Sequence, residues 1–193
     1  MSSHVYEAPR QGLNARQAET VDKLLRAGLE ELRAVGHEAL TVRSVAQRAG
    51  TAPATAYTYL ASKNHLYAEL FWRHMSQMPA VDAGDGTATE RIQKVTHALV
   101  TWMDHEPALT TAVTPALLSS DADVARLRLR IGAYLFERFE KGLGAGHADP
   151  ALLEAVVLAF SGALLQAGMG MTSYQQMADR LDPVIAVIMR GNE

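Results

Sequence analysis

Apolar residues recur along this chain at helical spacing, and the pattern breaks at glycine, proline or small polar residues. From Ala15 to Val35, the positions Ala18, Val21, Leu25, Gly28, Leu29 and Leu32 fall on one face and predict an amphipathic helix closed by Gly36. Val42, Val45, Ala46 and Ala49 give a second, shorter helix an apolar face, with Thr41 as its N-cap. Gly50 supplies the left-handed conformation of a tight turn, and Pro53 stands where the first turn of a helix needs no backbone N–H. A third helix is therefore read over 53–59. Ala52 offers it no capping oxygen, so Thr51 is expected to supply one.

Further along, Ser62 caps a fourth helix running from Lys63 through Leu66, Leu70, Phe71 and Met75 to about Met78, ahead of Pro79. After a loop, Thr87 and Glu90 form a capping box for a fifth helix whose buried stripe is Ile92, Val95, Leu99 and Met103. Pro107 opens a sixth, expected to bend or stop near Thr114 because Pro115 removes a donor. A seventh spans Asp121 to Lys141 through Val124, Leu127, Ile131, Leu135 and Phe139, and Gly142, Gly144 and Gly146 are read as its end.

An eighth helix starts at Asp149 and Pro150 and carries no charge from Ala155 through Met171. Those 17 residues fall short of the roughly 20 that span a bilayer, so no membrane segment is read here. A helix apolar on all sides must be covered on all sides, which suits a ligand cavity on one flank and a partner subunit on another. Ser173 and Gln176 cap a last segment to Arg190, bent or divided at Pro183. The eighth and ninth helices are expected to pair with their copies in a homodimer. The fold class is thus all-α, about nine helices without a strand.

Composition narrows the picture. The 193 residues are 48% hydrophobic, too apolar for a disordered chain. With no cysteine there is no disulfide framework, no zinc–thiolate site and no thiol nucleophile, which fits a reducing compartment. The N-terminus lacks an apolar export segment, and the protein is read as cytoplasmic. Residues 1–14 read as a disordered tail, in which Arg10, with Arg16 just beyond it, offers the cations of a minor-groove arm. The net charge of −3 is uneven: residues 1–75 hold nine Lys and Arg against seven Asp and Glu, and the remainder nine against fourteen. A mildly basic N-terminal part on an acidic body is compatible with specific duplex binding and argues against strong nonspecific binding.

Two short helices meeting across a glycine, the second built of small residues, suit a reading helix in a DNA major groove. The ordered set Gly36, Ala39, Leu40, Thr41, Val42, Val45, Ala46, Ala49, Gly50, Thr55, Tyr57, Tyr59, Ser62, Lys63 and Leu66 resembles the helix-turn-helix pattern of the tetracycline-repressor (TetR) family of bacterial transcriptional regulators. The resemblance covers the first third of the chain. It implies a helix-turn-helix domain over 15–62 and a ligand-binding and dimerisation domain over 63–193. It also implies a fourth helix whose tilt, changed by ligand, sets the distance between two recognition helices. Ala52, Ala56 and Leu60 depart from the family's usual capping serine, larger aliphatic and phenylalanine.

Arg43 is the cation expected to pair with a guanine edge, with phosphate contact alone as the plainer alternative. Pro53, Ala54, Thr55 and Thr58 are expected to face base edges, Tyr57 and Tyr59 to donate to phosphates, and Thr41 and Lys63 to hold further phosphates. Trp72, Met75, Met78, Trp102, Met103, Tyr134, Phe160, Met169 and Met171 are candidate walls of an apolar effector cavity, and each taken singly reads more readily as core packing. His97, Asp104, His105 and Glu106 hold possible metal ligands, but the histidines lie more than two turns apart and read better as surface residues and caps.

These readings lead to a ligand-responsive repressor that binds a pseudo-palindromic double-stranded operator as a homodimer and needs no cofactor. Its effector is a mostly apolar small molecule. An all-helical enzyme working through His97, Asp104 and His105 is the alternative; the chain shows no recognisable nucleophile, phosphate loop or HExxH motif for it. A nonspecific architectural DNA binder would be far more basic.

Overall fold

Local capping chemistry decides where most of the helices begin. The computed structural model describes residues 14–144 and 149–190, and among them are nine helices and no strand: α1 (Ala15–Ala39), α2 (Val42–Arg48), α3 (Pro53–Tyr59), α4 (Lys63–Ser76), α5 (Ala88–Asp104), α6 (Pro107–Leu117), α7 (Ala122–Leu143), α8 (Pro150–Gly168) and α9 (Tyr174–Met189). Capping boxes close the N-termini of α2 (Thr41 with Ser44), α5 (Thr87 with Glu90) and α9 (Ser173 with Gln176), while Ser62 and Asp121 cap α4 and α7.

Asn14, read as the end of the tail, instead caps α1 in a box with Gln17. Arg16 is exposed in the first turn of α1, and the rest of the expected tail, with Arg10, lies outside the described residues. The helical run of α1 is interrupted at Gly36, whose φ of 77° only glycine adopts at low cost.

Several expectations are corrected. Thr51 does not cap α3: its hydroxyl donates back to the Ala49 carbonyl at 3.4 Å, and Ala52, the N-cap, has no side-chain bond to give. The sixth helix does not stop at Thr114. Pro115 lies in its last turn and is exposed, so only one intrahelical bond is lost two residues before the helix ends at Leu117. Likewise Pro183 leaves α9 as one helix. The fourth helix ends at Ser76 rather than Met78.

Gly142 does not terminate α7 but lies inside it, where a Cβ would meet Val95 Cγ2 at 2.9 Å and Ile92 Cδ1 at 3.3 Å. It permits the close approach of α7 to α5. Gly144, with φ of 80°, ends the helix, and Gly146 lies outside the described residues.

Helices α1 to α3 surround Leu24, Val45, Ala46, Ala56 and Leu60, all fully buried. The body is built from α4 to α9, with α5 packed on α9 and α7, and α8 on α9, α7 and α6. Helix α4 belongs to both parts, since it packs on α1 as well as on α6 and α7. One contiguous apolar core therefore runs from Val21 of α1 through Leu66 and Met75 of α4 to Met189 of α9.

Helix α8 ends at Gly168, not Met171, and within one chain it is not covered on all sides. Leu158 and Leu165 on α8, and Val184 and Val187 on α9, are exposed. Among the described helices, α8 alone is long and apolar enough to cross a membrane by length and composition.

Candidate nucleic-acid interface and ligand cavity

The short helix α3 is anchored by Ala56, fully buried, and by the half-buried Thr55 and Tyr59. Helical geometry then turns Pro53, Ala54, Tyr57 and Thr58 outward, and all four are exposed. The Thr58 hydroxyl already donates to the Ala54 carbonyl at 3.1 Å, so what it presents is largely its methyl group. Tyr57 presents its ring and hydroxyl to solvent. Thr55 and Tyr59 sit at the edge of this face rather than on it.

On α2, Arg43 is exposed in the first turn, and Thr41 is exposed with its hydroxyl accepting from Ser44 N at 3.0 Å. Arg48, at the other end, is committed to Glu31 of α1 at 2.6 Å. The Arg48 hydrogen bond holds the Glu31 carboxyl below its ordinary value against the opposing effect of burial. Arg43 is thus left as the outward cation of α2. Lys63 differs: its ammonium is half-buried and donates to the His37 and Glu38 carbonyls at 3.1 and 3.3 Å, tying α4 to the end of α1.

Further polar links bind this reading unit to the body. Ser62 donates to Asp121 at 2.5 Å, and Arg33 of α1 pairs through Nε and one terminal nitrogen with the two carboxylate oxygens of Glu106 before α6. Arg73 of α4 pairs with Asp22 of α1 at 2.6 Å and approaches the buried Glu69 at 3.5 Å. Burial pushes the Glu69 carboxyl up to about 7, although the Arg130 charge works against it, and lowers Arg73 to about 10. Desolvation outweighs attraction for both groups.

Between α4, α5, α6, α7 and α8 lies a cavity of about 470 Å3. Its buried floor includes Phe71, Met75, Met103, Val113, Ile131 and Leu135, and its exposed rim includes Leu118, Arg128, Leu158, Ser161 and Leu165. Among the described residues of this lining Arg128 alone is charged, and its guanidinium is seated on the Leu117 and Ser119 carbonyls at 2.5 and 2.6 Å.

Of the nine wall residues expected from sequence, Met75 and Met103 line this cavity and seven do not. Trp72 packs edge-on against Tyr134 beneath Arg130, and Trp102 stacks on His74 with ring centroids 4.1 Å apart. Tyr134 is turned to Arg138, Met78 is buried elsewhere, and Phe160 packs on Phe139 in the core. Met169 and Met171 follow the end of α8 and are exposed. The expected walls are large or soft side chains, whereas this wall is made mostly of aliphatic and small ones. Val113, Leu117, Ile131 and Leu135 follow the helical period, which marks a buried face without separating wall from core.

The residues of the alternative enzymatic reading are dispersed. Asp104 accepts from Gln175 at 3.1 and 3.2 Å, the His105 ring meets the Thr101 carbonyl at 2.8 Å, Glu106 pairs with Arg33, and His97 faces Asp182.

Comparison with known proteins agrees with this layout. Residues 24–70 match the family model for bacterial regulatory proteins of the tetR family. Over 180 residues the chain is 42% identical to an uncharacterised HTH-type transcriptional regulator of Mycobacterium tuberculosis, covering 92% of this chain and 84% of that one. It is 30% identical over 134 residues to the HTH-type transcriptional repressor KstR of Mycolicibacterium smegmatis, covering 67% and 66% of the two chains. Its fold is similar to the crystal structure of a TetR transcriptional regulator from Rhodococcus sp. RHA1, with a TM-score of 0.75 at 17% identity over 92% of this chain and 100% of that one.

Proposed function

The chain belongs to the TetR family of bacterial transcriptional regulators, and from that premise we propose that it is a repressor which a small molecule releases from its operator. One observation carries the reading. Phe71 and Met75 of α4 line the cavity, while Ser62 and Lys63 at the start of the same helix touch α7 and the end of α1. A ligand that changes the seat of α4 therefore acts on the element that carries the recognition helix.

In this reading, residues 15–62 are the reader and 63–193 the sensing and dimerising body. Pro53, Ala54, Thr55 and Thr58 offer apolar surface to thymine methyls, Arg43 pairs with a guanine, and Tyr57, Tyr59 and Thr41 hold phosphates. The exposed flanks of α8 and α9 pair with their copies in a homodimer, which covers Val184 and Val187, while Leu158 and Leu165 stay at the cavity rim. Two recognition helices about 34–36 Å apart then read a pseudo-palindromic double-stranded operator. A homodimer working on DNA places the protein in the cytoplasm.

The effector is mostly apolar, because the cavity wall is. With Arg128 at its rim and no carboxylate among the described residues of its lining, the cavity favours an electron-rich or anionic group at the mouth. Release is a population shift: the effector lowers operator affinity only by the ratio of its affinities for the two seats of α4.

The test is selection of bound sequences from a random duplex library with purified protein at fixed salt. A palindrome with half-sites about one turn apart supports the reading and supplies the probe for screening effectors by release. Recovery of no motif, with and without a panel of apolar acids and alcohols, counts against it.

A further inference from the structure

A set of metal-ligating side chains lies between α5 and α9, on neither the reading face nor the cavity. His97 of α5 stands with Nε2 3.0 and 3.1 Å from the two carboxylate oxygens of Asp182, and Asp179, one turn earlier on α9, completes the group. One ligand atom from each of the three residues lies within 4.8 Å of the others. The spacing is local on α9 but depends on the α5–α9 contact for its imidazole, so no sequence motif announces it.

Three features of the surroundings favour a cation. Two carboxylates one helical turn apart face the same imidazole, and among the described residues neither is ion-paired with a lysine or arginine. Arg180, between them in sequence, lines the groove toward α8 instead. Pro183 has no N–H, so the carbonyl of Asp179, four residues earlier, lacks its helical donor and adds a negative dipole end to this turn. The Asp182 turn is also fixed in place, since Gln93 Nε2 donates to its backbone carbonyl at 3.2 Å.

We propose that His97, Asp179 and Asp182 bind a first-row divalent cation of the zinc type, one per chain, with solvent completing the coordination. One nitrogen and two carboxylate oxygens form a borderline-hard ligand set that suits Zn2+ better than Mg2+ or Cu+. The side chains of His97 and Asp182 are 44% and 34% exposed, which leaves the site open to an entering ion. A bound ion converts a solvent-exposed pair into a clamp between α5 and α9. The inference does not depend on the regulator reading above.

The test uses tag-free full-length protein stripped with a chelator. CoCl2 is titrated by visible absorption and ZnCl2 by calorimetry, with thermal unfolding as a second readout. The expected result is one equivalent of Co2+ with visible d–d absorption, displaced by Zn2+, and a melting temperature raised by Zn2+. His97→Ala should weaken binding by at least about tenfold, and so should Asp179→Asn, which leaves the His97–Asp182 pair intact. If wild type takes up no ion, or if Asp179→Asn binds as wild type does, the site is an ordinary interhelical ion pair and the proposal fails.

Discussion

The Ser62 hydroxyl donates to Asp121 at 2.5 Å, and each of the two side chains is also a helix cap, Ser62 accepting from His65 N of α4 and Asp121 from Asp123 N of α7. The helix that follows the reader and a wall of the cavity therefore start from one hydrogen-bonded unit. The Ser62 bond, aided by the two backbone amides, holds the Asp121 carboxyl below its ordinary value.

Ser62→Ala should lower stability by about 1 kcal/mol through the lost cap, and Asp121→Ala by a similar amount. The two losses should fall short of additivity by roughly 0.5 kcal/mol or more in a denaturation double-mutant cycle. Additive losses would show that the two caps act independently.

The buried Glu69 predicts a pH dependence. Its folded-state value of about 7 lies above the ordinary 4.5, so the folded state binds the proton more tightly. The stability this gives is complete below pH 4.5 and is lost as pH rises through 7. Relative to Glu69→Gln, wild type should lose about 2 kcal/mol between pH 5 and pH 8. Parallel urea-unfolding curves for the two proteins across that window would refute this.

Arg43 and Lys63 should separate cleanly in DNA binding. Arg43→Ala should cost roughly 1–3 kcal/mol and relax preference at one base position of the selected operator. Lys63 already spends its ammonium on two carbonyls, so Lys63→Ala should lower the melting temperature and leave the salt slope of binding unchanged. A slope reduced by about 1 would instead return Lys63 to a phosphate.

Ser161 lies on the exposed rim of the cavity, where added bulk costs the core little. Ser161→Phe should retain operator affinity and lose effector-induced release by about tenfold or more, measured by fluorescence anisotropy with an effector found by screening. Unchanged release would place the effector outside this cavity.

Val187 is 61% exposed on α9. Val187→Asp should leave the monomer folded, shift the protein from dimer to monomer in sedimentation, and weaken operator binding by about a hundredfold or more through lost bivalency. A dimer that survives this change would place the interface elsewhere.

Much of the architecture was legible because its determinants are local. A capping box joins residues three apart, so Thr41, Thr87 and Ser173 announce helix starts before anything folds. Gly50, with φ of 60°, and Pro53 likewise mark the turn between α2 and α3 from single-residue stereochemistry. The outward face of α3 follows from the helical period once Ala56 is buried.

What tertiary structure alone decided depends on distances between elements far apart in the chain. Trp102 and Phe160 looked like cavity walls by type, yet the cavity is the space left by the crossing of α4 to α8, and those rings fill other gaps. Gly142 reads as a helix stop by composition, whereas its missing Cβ makes room for Val95, 47 positions earlier. By sequence position His97 groups with Asp104 and His105, but its partner is Asp182, 85 positions away. Helix propensity and capping act within a turn or two. Cavities, close approaches and ligand sets exist only where helices meet, and the packing of the whole core sets those meetings.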